Sequence, residues 1–297
     1  MLFKNIVSLL KKTAASTDAE FYIVGGAVRD YLLGIEDVSN LDITVIGGFE
    51  NFTSILFAEF KIPEKNVKMS LFKTAVAELD GFTVDIVTAR KEFYRDEGML
   101  PEITPSNLED DIRRRDFTIN SIAYDVRKDK VIDFLGGADD LSKRILRANR
   151  SSLFTEDPTR IFRFIKYRRR FSLIPDNETF NQFDEALNKD TLFENVSKSR
   201  ISKEWLLLLK ENSVDFLIDD LNRSGVFKSI FKKEILCSPL PEKIKDPLLS
   251  TLAVFYQNDT PVLIKVADTL LNGIKKNKIE MIEKMKSKSG KFEIPSD

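Results

Sequence analysis

The sequence contains no histidine and a single cysteine, Cys237. These absences exclude an intrachain disulfide, a zinc site built on Cys and His, and any catalytic pair in which histidine activates serine or cysteine. Acid–base or metal chemistry must therefore rest on carboxylates, lysine, arginine or tyrosine. No apolar run approaches the roughly 18 residues of a membrane-crossing helix. The N-terminal MLFKNIVSLLKKTAAS has helical apolar spacing broken by lysines, and is read as an amphipathic helix of a cytoplasmic protein with no membrane partner. An excess of either charge is also missing, since 46 basic and 47 acidic residues leave −1. Whole-molecule charge thus identifies no RNA partner, and only local clusters can. The length, 297 residues, allows about two domains with a sizeable core.

The richest stretch is FYIVGGAVRDYLLGIEDVSNLDITVIGG, residues 21–48. It reads as a strand, a Gly25-Gly26 turn, a short helix closed near Gly34, and a second strand, LDITVI, holding Asp42. Glycines at a strand-to-helix turn let a phosphate approach backbone N–H groups, where the helix dipole also favours an anion. A helix over GFENFTSILFAEF follows, then two alternating runs, residues 74–79 and 82–87, joined by Asp80-Gly81 as a hairpin. Alternation sets Val84 and Ile86 on one face and Asp85 with Val87 on the other. Strands carrying Asp42 and Asp85 can then aim two carboxylates at one point.

Residues 91–110 are polar, punctuated by Gly98, Pro101 and Pro105, and read as a mobile loop. DDIRRRDFTINSIAYDV then presents three arginines, Asp116 and an apolar stretch of helical spacing, followed by a strand in KVIDFLGG. From about Leu153 the pattern is helical. LFTEDPTRIFRFIKYRRRF offers Thr155 as N-cap, Pro158 just inside the helix, and Asp157, Arg160, Arg163 and Lys166 on one face. Arg113-Arg114-Arg115 and Lys166-Tyr167-Arg168-Arg169-Arg170 are local basic clusters suited to RNA phosphates. The remainder reads as a succession of helices, with a frayed end from Lys284.

GGAVRDYLLG with NLDITVIG, VDIVTARKEFY, RRRDFTINSIAYD and EDPTRIFRFIKY, in that order, resemble the motifs of the class II tRNA nucleotidyltransferase (CCA-adding enzyme) and bacterial poly(A) polymerase family. SKSRISKEW resembles a fifth, and the resemblance spans about residues 20–210. It implies an α+β fold, with a small mixed-sheet nucleotidyltransferase head over residues 1–147. A helical neck that binds bases and RNA over 148–215 and a helical body with a reduced tail over 216–297 would follow. The implied activity is template-independent addition of CMP and/or AMP from CTP or ATP to tRNA 3′ ends, as CCA, CC or A addition. An RNA 3′-hydroxyl attacks the α-phosphorus and pyrophosphate leaves, with Mg²⁺ ions held by carboxylates. By the same resemblance, Gly25, Gly26 and Arg29 form the triphosphate turn, and Arg114, Arg115 and Asp116 contact ribose and phosphates. Asp157 and Arg160 read the base edge, Arg163 is a further nucleotide ligand, and Lys166 stands where many members carry arginine. Arg113, Arg168, Arg169 and Arg170 are the RNA-facing candidates.

The chain departs from the family pattern at the metal-binding strand, where two aspartates one residue apart are expected. Aligning Asp42 with the second puts Asn40 at the first, with Asp85 as the remaining carboxylate; the other register makes Asp42 the first and Thr44 the second. The former preserves the downstream apolar run and glycine. Either way one carboxylate is missing, so a second reading is an impaired member that binds RNA and nucleotides, or partners an active paralogous nucleotidyltransferase. Poly(A) addition is a third. The 91–110 loop is where CCA, CC and A addition are expected to differ.

Overall fold

The computed structural model describes residues 1–70, 73–79, 81–211, 214–238, 246–273, 275, 278–280, 282 and 283. The end from Lys284, expected to fray, lies outside them. The chain divides into two compact units, Met1–Arg95 with Pro101–Ser151, and Asp96–Leu100 with Ser152–Asp297.

In the first unit, α1 (Phe3–Ala15) turns Phe3, Ile6, Val7 and Leu10 inward at helical spacing, as its lysine-broken pattern implies. The unit continues through β1 (Glu20–Val24), α2 (Gly26–Leu32), β2 (Asn40–Ile46), α3 (Phe49–Glu59), β3 (Val67–Ser70), β4 (Thr74–Leu79) and β5 (Phe82–Thr88). It closes through β6 (Arg90–Phe93), β7 (Glu102–Pro105), α4 (Leu108–Arg113), β8 (Ala123–Asp125), β9 (Lys130–Ile132) and α5 (Gly137–Ser142). Seven strands form one mixed sheet in the order β3-β4-β5-β2-β1-β8-β9. Its neighbours pair antiparallel except β2 and β5, which are parallel.

Alternation divides the sheet chemically. Ile23, Leu41, Ile43, Val45, Val84 and Ile86 are buried in the main core with Phe52 and Leu56 of α3 and Ile6 and Leu10 of α1. The opposite face has a smaller cluster of Tyr22, Val24, Leu108, Ile112 and Ala123, and it is on this face that Asp42, Thr44 and Asp85 stand. Polar chemistry on the sheet is thereby kept off the main core.

The second unit contains α6 (Leu153–Glu156), α7 (Arg160–Arg170), α8 (Asn177–Leu187), α9 (Lys198–Leu208), α10 (Val214–Arg223), α11 (Val226–Phe231), α12 (Pro247–Phe255) and α13 (Thr260–Leu270). α7 packs on α9 and α10, and α13 packs on α9 and α12. Phe164 stacks on Phe183 at 4.4 Å, and Trp205 meets Phe227 and Phe255 while its Nε1 donates to Thr251 Oγ1 at 3.0 Å. Asp176, Asp246 and Asp259 cap α8, α12 and α13 through the N–H groups of Thr179, Leu249 and Val262. Among the described residues no helix is long and apolar enough to cross a membrane.

Three local expectations are corrected. Residues 91–110 are not a plain loop: β6 and β7 pair as an antiparallel ribbon with Arg90 opposite Pro105, and α4 begins at Leu108. The stretch after Arg115 is not a helix but a 3₁₀ turn over Thr118–Asn120 leading into β8. There Asp116 Oδ1 accepts from Phe117 N at 2.8 Å and Ser121 Oγ donates to Phe117 O at 2.8 Å, side-chain bonds that compete with helical ones. Thr155 lies inside α6 rather than capping the longer helix. Asp157 breaks the run with extended backbone (φ −137°, ψ 91°), its side chain accepting from Thr159 N at 3.1 Å, and α7 starts from Thr159 with no side-chain cap.

Candidate functional site

In the first unit the site is built on β2 and β5. Their parallel register pairs Asp42 with Asp85 directly, so both carboxylates leave the same face of neighbouring strands. Beside Asp42 is the turn between β1 and α2. Gly25 has φ +73° and ψ −133°, a conformation open essentially to glycine alone. A Cβ on Gly25 would lie 3.3 Å from Arg115 Nη1 and 3.5 Å from Asp42 Oδ2, so the missing side chain keeps the turn close to both. Gly26 opens α2, with Arg29 Nη2 3.5 Å from where its Cβ would be.

Asn40 is exposed two residues before Asp42, and its Nδ2 lies 3.5 Å from Asp42 Oδ1. Thr44, at the alternative position for a second aspartate, is wholly buried and donates to Asp111 Oδ2 at 3.0 Å. Of the two positions flanking Asp42 on this face, Asn40 is thus the solvent-accessible one. Two carboxylates from adjacent strands are hard oxygen donors and fit a divalent cation such as Mg²⁺. Among the described residues no group of three or more His, Cys, Asp or Glu side chains is gathered for a metal.

The arginines are ordered by a buried acid, Asp111. It accepts from Arg114 Nε at 2.9 Å, Arg115 Nη2 at 2.9 Å and Thr44. Burial pushes its carboxyl up, and Arg115 and Arg114 outweigh that and hold it below the usual carboxylate value. Arg114 also donates to Glu92 Oε1 at 3.0 Å, which Arg90 shares at 2.8 Å. Arg115 differs: its buried Nε has no hydrogen-bond partner among the described residues, and its Nη1 faces the Gly25 turn. Arg29 is buried, bound to Asp30 Oδ1 at 2.9 Å and to Asn120 Oδ1. Asn120 in turn donates to Asp116 Oδ1 at 3.1 Å, so Asp116 supports Arg29 through Asn120.

In the second unit Asp157 and Arg160 stand at the start of α7. Asp157 Oδ1 accepts from Thr159 Oγ1 at 2.6 Å and Arg200 Nη2 at 2.7 Å, and its Oδ2 lies 4.0 Å from Arg160 Nε. Burial pushes the Asp157 carboxyl up, while Arg160, Thr159 and Arg200 bring it below the ordinary value. Arg160 is buried and donates to Leu153 O at 3.2 Å. The charged face of α7 is not simply solvated, because α9 brings the buried Glu204 towards it. Burial raises the Glu204 carboxyl, opposed by Arg163 and Lys166; burial also lowers Lys166. Arg163 and Lys166 both lie over the Tyr167 ring, at 5.7 and 5.3 Å.

Three of the four arginines expected to face RNA have carboxylate partners within the chain. Arg113 pairs with Glu109 at 2.7 Å, Arg169 grips both oxygens of Asp220 at 2.8 and 2.7 Å, and Arg170 lies 3.5 Å from Glu211. Arg168 is exposed. Sequence reasoning missed Asp111, Asn120 and Arg200. The spacing of Asp111, on α4, to Arg114 and Arg115 just past its end was a readable signal; for Arg200 only its place in SKSRISKEW was.

Residues 21–147 match the Poly A polymerase head domain family. The chain is 30% identical over 253 residues to the A-adding tRNA nucleotidyltransferase of Geobacter sulfurreducens, covering 83% of this chain and 28% of that protein. It is 30% identical over 298 residues to tRNA nucleotidyltransferase cca2 of Schizosaccharomyces pombe, covering 89% of this chain and 60% of the relative. It thus spans less than two thirds of the length of either. A solved CCA-adding enzyme, apo form II, superposes with a TM-score of 0.77 at 29% identity, covering 95% of this chain and 70% of the other.

Proposed function

The chain belongs to the class II tRNA nucleotidyltransferase and bacterial poly(A) polymerase family, and from that premise we propose that it adds CMP and/or AMP from CTP or ATP to tRNA 3′ ends without a nucleic-acid template. The observation that carries the reading is the direct pairing of Asp42 with Asp85 beside Gly25, with the Arg115 guanidinium turned to the same spot. Acids and a cation at a tight glycine turn suit a metal-bound triphosphate better than either suits a plain anion.

In this reading Asp42 and Asp85 would hold Mg²⁺, with the Asn40 side chain as a neutral neighbour. The cation, when bound, acidifies the attacking 3′-hydroxyl and neutralises charge on the departing pyrophosphate. Gly25 and Gly26 let the phosphates approach the backbone, and Arg115 offers Nη1 to their oxygens. Asp111 keeps Arg115 and Arg114 aimed, while the Asn120–Asp116 pair keeps Arg29 in place behind the turn. Asp157 and Arg160 supply one acceptor and one donor for the edge of a base, a pattern that cytosine and adenine satisfy and uracil and guanine do not. Residues 1–147 act as the catalytic head, 148–215 as the neck that binds base and RNA, and 216–297 as the body.

A second reading is favoured by the exposed Asn40: a member that binds nucleotide and RNA yet transfers slowly, alone or beside an active paralogue. Both are tested with Mg²⁺, labelled CTP or ATP, and tRNAs ending before CCA, after CC, or complete. Incorporation supports the enzyme, and a preference among the three acceptors names the nucleotides it adds; extension of unrelated RNA 3′ ends into long A tracts would instead make it a poly(A) polymerase. No incorporation by the native chain, with gain on Asn40→Asp, supports the impaired reading, and no incorporation by either sinks the first.

A further inference from the structure

Asp157 has two unlike oxygens. Oδ1 accepts from Thr159 N at 3.1 Å, Thr159 Oγ1 at 2.6 Å and Arg200 Nη2 at 2.7 Å. Oδ2 accepts no hydrogen bond among the described residues and faces Arg160 Nε at 4.0 Å. Arg200 reaches Asp157 from α9, and its Nη1 also donates to Gly98 O. That carbonyl belongs to a short strap anchored elsewhere in the same unit: Gly98 N donates to Thr155 O at 3.0 Å, and Asn195 Nδ2 donates to Glu97 O at 2.9 Å. The guanidinium is therefore held at one end by a tethered backbone while the other end holds a carboxylate.

We propose that Arg200 is a positioning residue for nucleotide selection: it locks the Asp157 carboxylate by Oδ1, so that Oδ2 alone, ionised and acceptor-only, is offered to the base. The inference rests on the reading of Asp157 as the base acceptor. A terminal carboxylate torsion is broad, so without Arg200 the plane of the Asp157 carboxylate is held by Thr159 alone and Oδ2 is less firmly fixed in its direction. Loss of the neighbouring cation also makes the half-buried acid easier to protonate. A protonated carboxyl can donate as well as accept, and so can pair with the carbonyl that uracil or guanine presents where cytosine or adenine has an amine. Selectivity, more than affinity for the triphosphate, is what Arg200 then controls.

The test is calorimetric binding of CTP, ATP, UTP and GTP to the full chain, with thermal melts of each variant. Arg200→Ala is expected to reduce the CTP-over-UTP and ATP-over-GTP preferences about tenfold, the worth of one charged hydrogen bond. Arg200→Lys, which keeps one charged donor for Asp157 but not the fork shared with Gly98, should recover most of the preference. If Arg200→Ala does not fold, Arg200→Gln is read in its place, since it keeps part of the stem and a polar donor but no charge. A folded variant with native preferences overturns the inference. Asp157→Asn separates the two levels: if it abolishes preference while the Arg200 variants keep it, only the role of Arg200 fails. If Asp157→Asn also keeps it, the base-reading assignment fails and the inference with it.

Discussion

Asp111 shows how one buried side chain can order a site without belonging to its reacting groups. It is inaccessible to solvent, yet two guanidiniums and a threonine hydroxyl converge on it. Replacing it by Asn removes the charge that Arg114 and Arg115 share, leaving Arg114 with Glu92 alone among the described residues, and is expected to cost about 3–5 kcal/mol in urea unfolding. Because its folded pKa is depressed, the stability it adds is present above its unfolded value of about 3.9 and is lost as pH falls through the folded one. Unfolding free energy should therefore drop below about pH 4, and less steeply in Asp111→Asn. The same carboxylate distinguishes the two neighbours of Asp42. Thr44→Asp would bury a second acid against Asp111 and should destabilise by about 3 kcal/mol or more, whereas Asn40→Asp, on an exposed position, should stay within about 0.5 kcal/mol. A chemical-denaturation series of the two variants checks this. Cys237, the lone thiol, is pushed up to about 12 by burial and stays a neutral side chain at physiological pH.

Among the elements, α5 and the 3₁₀ turn before β8 approach so closely that a Cβ on Gly137 would lie 2.0 Å from Thr118 O. A backbone carbonyl cannot rotate away, so Gly137→Ala is expected to cost about 3 kcal/mol or more, seen as a lowered melting temperature. Elements with a strong apolar period were legible in the sequence: α1, the β1–α2–β2 unit, the β4–β5 hairpin and α7 follow from alternation or helical spacing. The β6–β7 ribbon was not, because β7 is exposed along its whole length and shows no inside and outside. Phe117, Ile119 and Ile122 are buried as helical spacing suggests, but Asp116 and Ser121 captured the backbone first. Of the candidate site, the face shared by Asp42 and Asp85 could be read from alternation, whereas their side-by-side register and the Arg200–Asp157 bond are tertiary facts. No local period brings together Arg200 and Asp157, 43 residues apart.

For the whole molecule, the near balance of charge is reproduced pair by pair at the surface, where Arg113, Arg169 and Arg170 each face an intrachain acid. Under the proposed function RNA would compete with those acids, while Arg168 is exposed. Arg168→Ala should weaken tRNA binding across sequences and lower the slope of log affinity against log salt by about one, and Asp220→Asn, which releases Arg169, should steepen it. A filter-binding titration over several salt concentrations reads both. The parallel pairing of β2 with β5 has a kinetic consequence. Parallel neighbours cannot be closed by a tight hairpin, and here α3, β3 and β4 intervene. A nascent or refolding chain that has formed only β1, α2 and β2 holds the glycine turn and Asp42 but no second acid. Long loop closure is slow, so competence to take up a cation should emerge with the last native phase of refolding, well after the local hairpins and helices have formed.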